Sequence, residues 1–153
     1  MQLRAEIEVA ASPESVWHVL TDTVRLHEWN PFITRLDGSL TEGSSVQVHF
    51  TLPEGTDRRM RARVIASQPS ENLRLAGHLG PSWFLRGEHF AELVILDEGR
   101  TRVVHGQNFE GLLLRLAPNT MTRAARALTL MNAALKKRVE SLPAREQAMR
   151  SAP

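Results

Sequence analysis

The apolar residues of this sequence change their spacing once, at Gly111, and that change limits the folds open to the chain. Before Gly111, apolar and polar residues alternate in several segments, as in Leu3–Val9 and Val46–Leu52, which predicts strands with one face against a core. After it, apolar residues recur every three or four positions, which predicts one amphipathic helix from about Pro118 to just before Pro143. The apolar stripe of this helix consists of Met121, Ala125, Leu128, Met131, Leu135, Val139 and Leu142.

Capping and turn residues divide the rest of the chain. Ser12-Pro13-Glu14 combines an N-cap residue, a proline and an acid, and predicts a helix that continues to about Asp22. A second short helix is predicted over Val24–Trp29. We expect it to end there, because the residue before Pro31 is disfavoured in a helix. Six strands follow between Phe32 and Gly111.

This order predicts an α+β fold in which a curved, seven-stranded antiparallel sheet wraps the long C-terminal helix, with two short helices after the first strand. Such a sheet has more concave surface than a helix about 10–12 Å across can cover. Several residues predicted on the concave face are small, which favours a cavity under the helix; they are Ala62, Ala66, Gly77 and Ala91. We expect one domain over residues 1–142 and a frayed tail over residues 143–153.

The composition excludes several kinds of site. The chain has 153 residues, 42% of them hydrophobic, and no cysteine, so disulfides, thiolate zinc sites and cysteine nucleophiles are absent. Neither a signal peptide nor an apolar run of membrane-spanning length is found, which predicts a cytoplasmic protein without stable membrane insertion. The net charge is only +2, and we expect no nucleic-acid partner. The densest basic segment is interpreted as the solvated face of a strand, with phosphate binding as the alternative; it contains Arg58, Arg59, Arg61 and Arg63.

The last two strands predict a polar cluster inside the apolar core. A three-residue loop with Gly99 in the left-handed conformation would pair Leu96 with Arg100. The same register pairs Leu93 with Val103, Ala91 with His105, and His89 with Gln107. His89, His105 and Gln107 then face the helix.

Three roles are open for this cluster. It could anchor a hydroxyl, carbonyl or carboxylate of a ligand, or His89 or His105 could act as a general acid or base. Alternatively the cluster is structural, with His89 bonded to Gln107 and His105 bonded to a helix side chain or a buried water. We predict no metal, because no carboxylate shares this face, and no cofactor.

Aromatic and helix residues complete the predicted ligand site. Trp29, Phe32 and Trp83 flank turns near the expected mouth of the cavity, where aromatic side chains pack against ligands or act as lids. Ordinary core packing is the alternative for Trp29 and Phe32. The predicted ligand-binding set is Trp29, Phe32, Trp83, His89, His105, Gln107, Phe109, Met121, Leu128 and Met131.

Several short motifs resemble one superfamily. They are Ala-Ser-Pro-Glu-Ser-Val-Trp at 11–17, Glu-Trp-Asn-Pro-Phe at 28–32, Gly-Glu-His at 87–89, the segment from Thr101 to Gly111, and the helix residues around Met131-Asn132. In order and spacing they resemble the SRPBCC (START-like, Bet v 1-like) superfamily, in particular its polyketide cyclase/dehydrase branch, over about residues 3–140. The resemblance implies a helix-grip fold and a cavity for a hydrophobic ligand.

Three functions follow from these expectations. The first is binding of a small hydrophobic molecule, lipid-like or aromatic and polyketide-like, by a monomer or homodimer. The second is a cyclase or dehydratase-type reaction in which a pocket histidine moves a proton. The third is a protein-interaction module with a filled core.

Overall fold

A single antiparallel sheet forms most of the molecule. The computed structural model describes residues 1–51, 54–97 and 99–143. Within these residues the strands number seven: β1 (Gln2–Val9), β2 (Ile33–Asp37), β3 (Ser45–Thr51), β4 (Asp57–Gln68), β5 (Asn72–Leu79), β6 (Leu85–Asp97) and β7 (Arg100–Glu110). They lie in the order β1-β7-β6-β5-β4-β3-β2, so the first and last strands of the chain are neighbours. The predicted α+β helix-grip fold is confirmed: the sheet curls around the long C-terminal helix.

In the described part of the chain, four helical segments connect and cover the sheet. They are α1 (Pro13–Thr21), a 3₁₀ helix (Leu26–Glu28), α2 (Leu113–Leu116) and α3 (Asn119–Glu140). Ser12 caps α1 as predicted, accepting a hydrogen bond from the backbone of Ser15 at 3.3 Å. The second predicted helix is shorter than expected, because Asn30 ends it and turns the chain into β2: its Oδ1 accepts from the backbone amides of Phe32 and Ile33 at 2.9 Å each.

The helix α3 packs along the concave side of the sheet. Its buried residues are Ala124, Ala127, Leu128, Met131, Asn132, Leu135 and Val139. Asn132 is the polar member of this face and is only 3% exposed. No described helix is both long and apolar enough to cross a bilayer.

The register of β6 and β7 agrees with the prediction where it matters for the site. His89 pairs with Gln107, Ala91 with His105, and Leu93 with Val103. The predicted pairing of Leu96 with Arg100 is wrong, because a bulge after Ile95 lets Asp97 take that position. The predicted loop includes Glu98, which lies outside the described residues.

A second bulge corrects the list of small concave residues. In β4, Val64 pairs with Leu75 but Ala66 pairs with Arg74, so the bulge falls at Ile65. Cross-strand partners share a face, and the bulge therefore moves Ala66 to the convex face beside Arg74. Ala62 stays on the concave face and is 4% exposed.

The junction between β7 and α3 contains a helix that the periodicity did not predict. Gly111 adopts φ +131°, and α2 follows it. Backbone amides of Leu112 and Leu113 then donate to the carbonyls of Trp83 and Phe84 at 3.1 and 2.9 Å. These bonds hold α2 against the β5–β6 loop. Leu52 and Pro53, at the predicted end of β3, lie outside the described residues, as do residues 144–153 of the predicted tail.

Candidate functional site

A cavity of about 270 Å³ lies between the concave face of the sheet, α2 and the first turns of α3. The volume is just under the roughly 300–1,000 Å³ typical of small-molecule sites. Most of its walls are apolar side chains. The lining residues are Phe32, Ile33, Val48, Phe50, Arg58, Met60, Ala62, Leu75, Leu79, Leu85, Gly87, Glu88, His89, Gln107, Phe109, Leu113, Thr120, Arg123 and Ala124.

Two neutral polar side chains lie at the buried end of the cavity. His89 on β6 and Gln107 on β7 are cross-strand partners, and both line the cavity. Gln107 is 7% exposed. Within the described part of the chain, neither Oε1 of Gln107 nor Nδ1 of His89 has a hydrogen-bond partner. A buried polar atom left unpaired costs about 1–3 kcal/mol, so this end of the cavity holds unused hydrogen-bonding capacity.

His105 lies behind His89, away from the cavity walls. The two imidazoles stack with ring centroids 5.7 Å apart and planes inclined by 26°. His105 is 1% exposed, and its Nδ1 donates to Oδ1 of Asn132 on α3. This bond connects the sheet to the helix and matches one part of the structural alternative. The other part, a bond between His89 and Gln107, is not formed.

Burial makes both imidazoles neutral at pH 7. It lowers the pKa of His89 to about 3, with a smaller contribution from the nearby His105. Burial also lowers the pKa of His105 to about 4, although its bond to Asn132 acts in the opposite direction. A neutral imidazole offers one N–H donor and one acceptor nitrogen, which suits recognition of a hydroxyl or carbonyl.

These pKa values make the folded protein sensitive to acid. An unfolded histidine titrates near pH 6.5, whereas the folded protein keeps both rings neutral until much lower pH. Their contribution to stability is therefore present above pH 6.5 and is lost as the pH falls toward about 4 for His105 and about 3 for His89. We expect the free energy of unfolding to fall by about 1 kcal/mol per histidine between pH 6.5 and 5.5, above the range in which carboxylates titrate.

Urea unfolding at several pH values measures this effect. The variant His89→Leu removes one of the two groups. Its free energy of unfolding is expected to fall only about half as much between pH 6.5 and 5.5 as that of the unmodified protein. An unchanged decrease in this variant would show that His89 does not contribute.

The predicted aromatic residues separate into two groups. Phe32 and Phe109 line the cavity, and the ring of Phe32 lies 6.4 Å from that of His89. Trp29 does not line the cavity. It is partly buried and packs against two clusters of buried apolar residues: the first lies between the middle of α3 and strands β2–β5, and the second between the C-terminal half of α3, α1 and strands β1, β6 and β7. Trp83 is 65% exposed outside the cavity, with its ring perpendicular to that of Phe84.

The helix residues of the predicted set lie beside the cavity without lining it. Leu128 and Met131 are 1% exposed and belong to the apolar cluster between α3 and the sheet. Met121 is partly buried in the first turn of α3. On this helix the cavity is lined by Thr120, Arg123 and Ala124.

The sequence interpretation missed the charged residues at the mouth. Arg58 was grouped with Arg59, Arg61 and Arg63 on a solvated face, but in β4 it lies on the same face as Met60 and Ala62, and it lines the cavity. The signal was present in the period of two, because Arg58 falls in the concave row. Arg123, on α3, also lines the cavity.

The described residues contain no group of three or more histidine, cysteine or acidic side chains placed to hold a metal ion. At the cavity, the neutral groups His89 and Gln107 at its buried end and the guanidinium groups of Arg58 and Arg123 at its mouth can form hydrogen bonds.

Comparisons with known proteins agree with the resemblance in the motifs. The family described as polyketide cyclase/dehydrase and lipid transport matches residues 1–140. No curated protein matches the sequence. A START superfamily protein from Mycobacterium smegmatis is similar in structure, with a TM-score of 0.76 and 22% identity over 93% of this chain and 99% of that one.

Two other similar structures are of proteins whose names state an activity. The Zhui aromatase/cyclase from a Streptomyces species has a TM-score of 0.71 and 15% identity, over 92% of this chain and 93% of that one. A point mutant of norcoclaurine synthase from Thalictrum flavum has a TM-score of 0.70 and 16% identity, over 92% and 94%. At these identities the likeness is one of fold.

Proposed function

The chain belongs to the polyketide cyclase/dehydrase and lipid transport family, and we propose that it binds a small hydrophobic molecule in the cavity under α3. One observation carries the proposal: an apolar cavity ends at two neutral polar side chains, His89 and Gln107, and among the described residues Nδ1 of His89 and Oε1 of Gln107 have no hydrogen-bond partner. The body of the ligand is then held by apolar contact, and one hydroxyl or carbonyl is held at the buried end. The open cavity favours this function over an interaction module with a filled core.

Apolar burial supplies most of the affinity in this proposal. The side chains around the cavity, such as Phe50, Leu75 and Leu85, offer aliphatic and aromatic surface, and each Å² removed from water contributes about 25 cal/mol. The polar end contributes orientation and selectivity. A rotation of the Gln107 amide presents either its donor or its acceptor, so the site suits a hydroxyl as well as a carbonyl.

A matched pair of probes tests the polar end. We expect 2-naphthol to bind about 3–10-fold more tightly than naphthalene, because its hydroxyl gains a hydrogen bond worth about 0.5–1.5 kcal/mol. Gln107→Leu should reduce the affinity for 2-naphthol by a similar factor and leave that for naphthalene unchanged. Quenching of tryptophan fluorescence or calorimetry measures both affinities.

The control is Asn108→Leu, which removes the next amide of β7 on the opposite face of the sheet. It is expected to bind both probes as the unmodified protein does. If neither probe binds, or if Gln107→Leu reduces the affinities for 2-naphthol and naphthalene equally, the proposed polar anchor is contradicted. Native mass spectrometry of the purified protein would in addition reveal any ligand that is carried through purification.

A cyclase or dehydratase-type enzyme is the second candidate, and the histidine in the cavity favours it. The names of two similar structures, an aromatase/cyclase and a norcoclaurine synthase, are compatible with that reading. General bases work best with a pKa near the working pH, however, and the pKa of His89 is about 3. His89 therefore fits the role of a neutral hydrogen-bonding group better than that of a base.

A further inference from the structure

From the charges around the cavity we infer that the ligand carries a carboxylate, which Arg58 and Arg123 bind at the mouth, opposite the neutral end formed by His89 and Gln107. This inference rests on the proposed binding function and specifies the chemical class of the ligand. It would be an elongated, hydrophobic carboxylic acid with an uncharged polar group at its far end.

Arg58 is the first element of this site. It lies in the concave row of β4 with Met60 and Ala62, so its side chain borders the cavity although it is exposed to solvent. Its Nη1 donates to the backbone carbonyl of Asp57 at 3.0 Å. Among the described residues no carboxylate lies within ion-pair distance of it, which leaves the guanidinium available to an anion.

Arg123 and the start of α3 form the facing wall. Thr120 and Arg123 lie in the first turns of this 22-residue helix and line the cavity. No side chain caps the helix, and its first turn contains no acid. The N-terminus of a helix carries a partial positive charge that favours a nearby anion, and here nothing acidic on the first turn offsets it.

The ion pair formed by Arg123 is one that a ligand can replace. Arg123 donates to Glu54 on the β3–β4 loop at 3.1 Å, and the two side chains are 54% and 35% exposed. Exposed pairs of this kind contribute about 0–1 kcal/mol. A ligand carboxylate between the two arginines could exchange for Glu54 at small cost.

Among the lining residues that the structure describes, Glu88 is the one acid, and it does not cancel these charges. The carboxylate of Glu88 binds Arg74 at 2.6 Å, and Arg74 also binds Glu92 at 2.5 Å. These three residues form a network on the convex face of β5 and β6. The mouth therefore presents two guanidinium groups, whose planar geometry suits a carboxylate.

The test compares 2-naphthoic acid, which is ionised at neutral pH, with its uncharged analogue 2-naphthamide. We expect the acid to bind about tenfold or more tightly than the amide, since hydrogen bonds to charged groups contribute about 1.5–3 kcal/mol. Arg58→Gln and Arg123→Gln should each reduce the affinity for the acid about tenfold and leave that for the amide unchanged. Glu54→Gln should increase the affinity for the acid, because it releases Arg123.

Arg59→Gln is the matched control, because it removes the same charge from the neighbouring residue of β4 on the convex face. It is expected to leave both affinities unchanged. If Arg59→Gln reduces the affinity for 2-naphthoic acid as much as Arg58→Gln does, the preference for the acid over the amide comes from overall charge, and the carboxylate site is refuted. If acid and amide bind equally, the inference fails while the proposed binding function stands. If neither binds, the binding function itself is in question.

Discussion

Replacing Gly111 with alanine is expected to lower the free energy of unfolding by about 3 kcal/mol. Two effects add at this position. Gly111 has φ +131°, a conformation that residues with a Cβ rarely adopt. An added Cβ would also lie 2.7 Å from the carbonyl carbon of Phe84 and 2.9 Å from Cα of Leu85, and these backbone atoms cannot move without disturbing β6.

Gly43→Ala separates the two effects. Gly43 also has a positive φ, +89°, but nothing lies within 4 Å of a Cβ built there. We expect this variant to lose only about 1–2 kcal/mol, the cost of the backbone conformation alone. Chemical denaturation of the three proteins measures both differences. Equal losses in Gly111→Ala and Gly43→Ala would show that the contact with Phe84 and Leu85 is relieved without cost.

Replacing Asn132 with leucine is expected to cost up to about 3 kcal/mol of stability, although leucine is the more apolar residue. Asn132 is the acceptor for the buried Nδ1–H of His105. Leucine removes that acceptor and leaves the N–H unpaired in the core, where water does not replace it. The pair thus links α3 to β7 through a bond whose loss affects both elements.

The double variant His105→Phe, Asn132→Leu shows whether this reasoning is right. When both polar partners are replaced by apolar groups, no unpaired donor or acceptor remains between them, and the loss should be smaller than the sum of the two single losses. Urea unfolding of the four proteins completes the cycle. Additive losses would mean that the two residues are not energetically coupled and that the hydrogen bond contributes nothing.

The fold was predictable because its signals are long and regular. Alternation over whole strands and a stripe over more than five turns of helix leave few arrangements that bury every apolar face. The errors fall where one residue changes the pattern. A single inserted residue at Ile65 moved Ala66 to the convex face, and a four-residue helix such as α2 is too short to show a period.

The site was predictable in part, for a related reason. The register of one hairpin was enough to place His89, His105 and Gln107 on the concave side, because a shift by one residue would have put charge into the core. Which of them would line the cavity was not predictable, since it depends on the helix covering His105. Arg58 was not predicted to line the cavity because it was assigned to the solvated face together with the neighbouring arginines. The alternation along β4 instead directs its side chain to the concave face.

The core of this protein is divided along α3. The second apolar cluster packs the C-terminal half of α3 against α1 and the strands β1, β6 and β7, and it shares no residue with the lining of the cavity. Its members are Val9, Ala11, Val16, Val19, Leu93, Val103, Leu135 and Val139. Substitutions that reshape the cavity therefore leave the packing of this second cluster unchanged. Those at Phe32, Ile33, Val48, Ala62 or Leu75 alter the first apolar cluster, to which these lining residues also belong, so ligand preference is coupled to stability on that side of the core only.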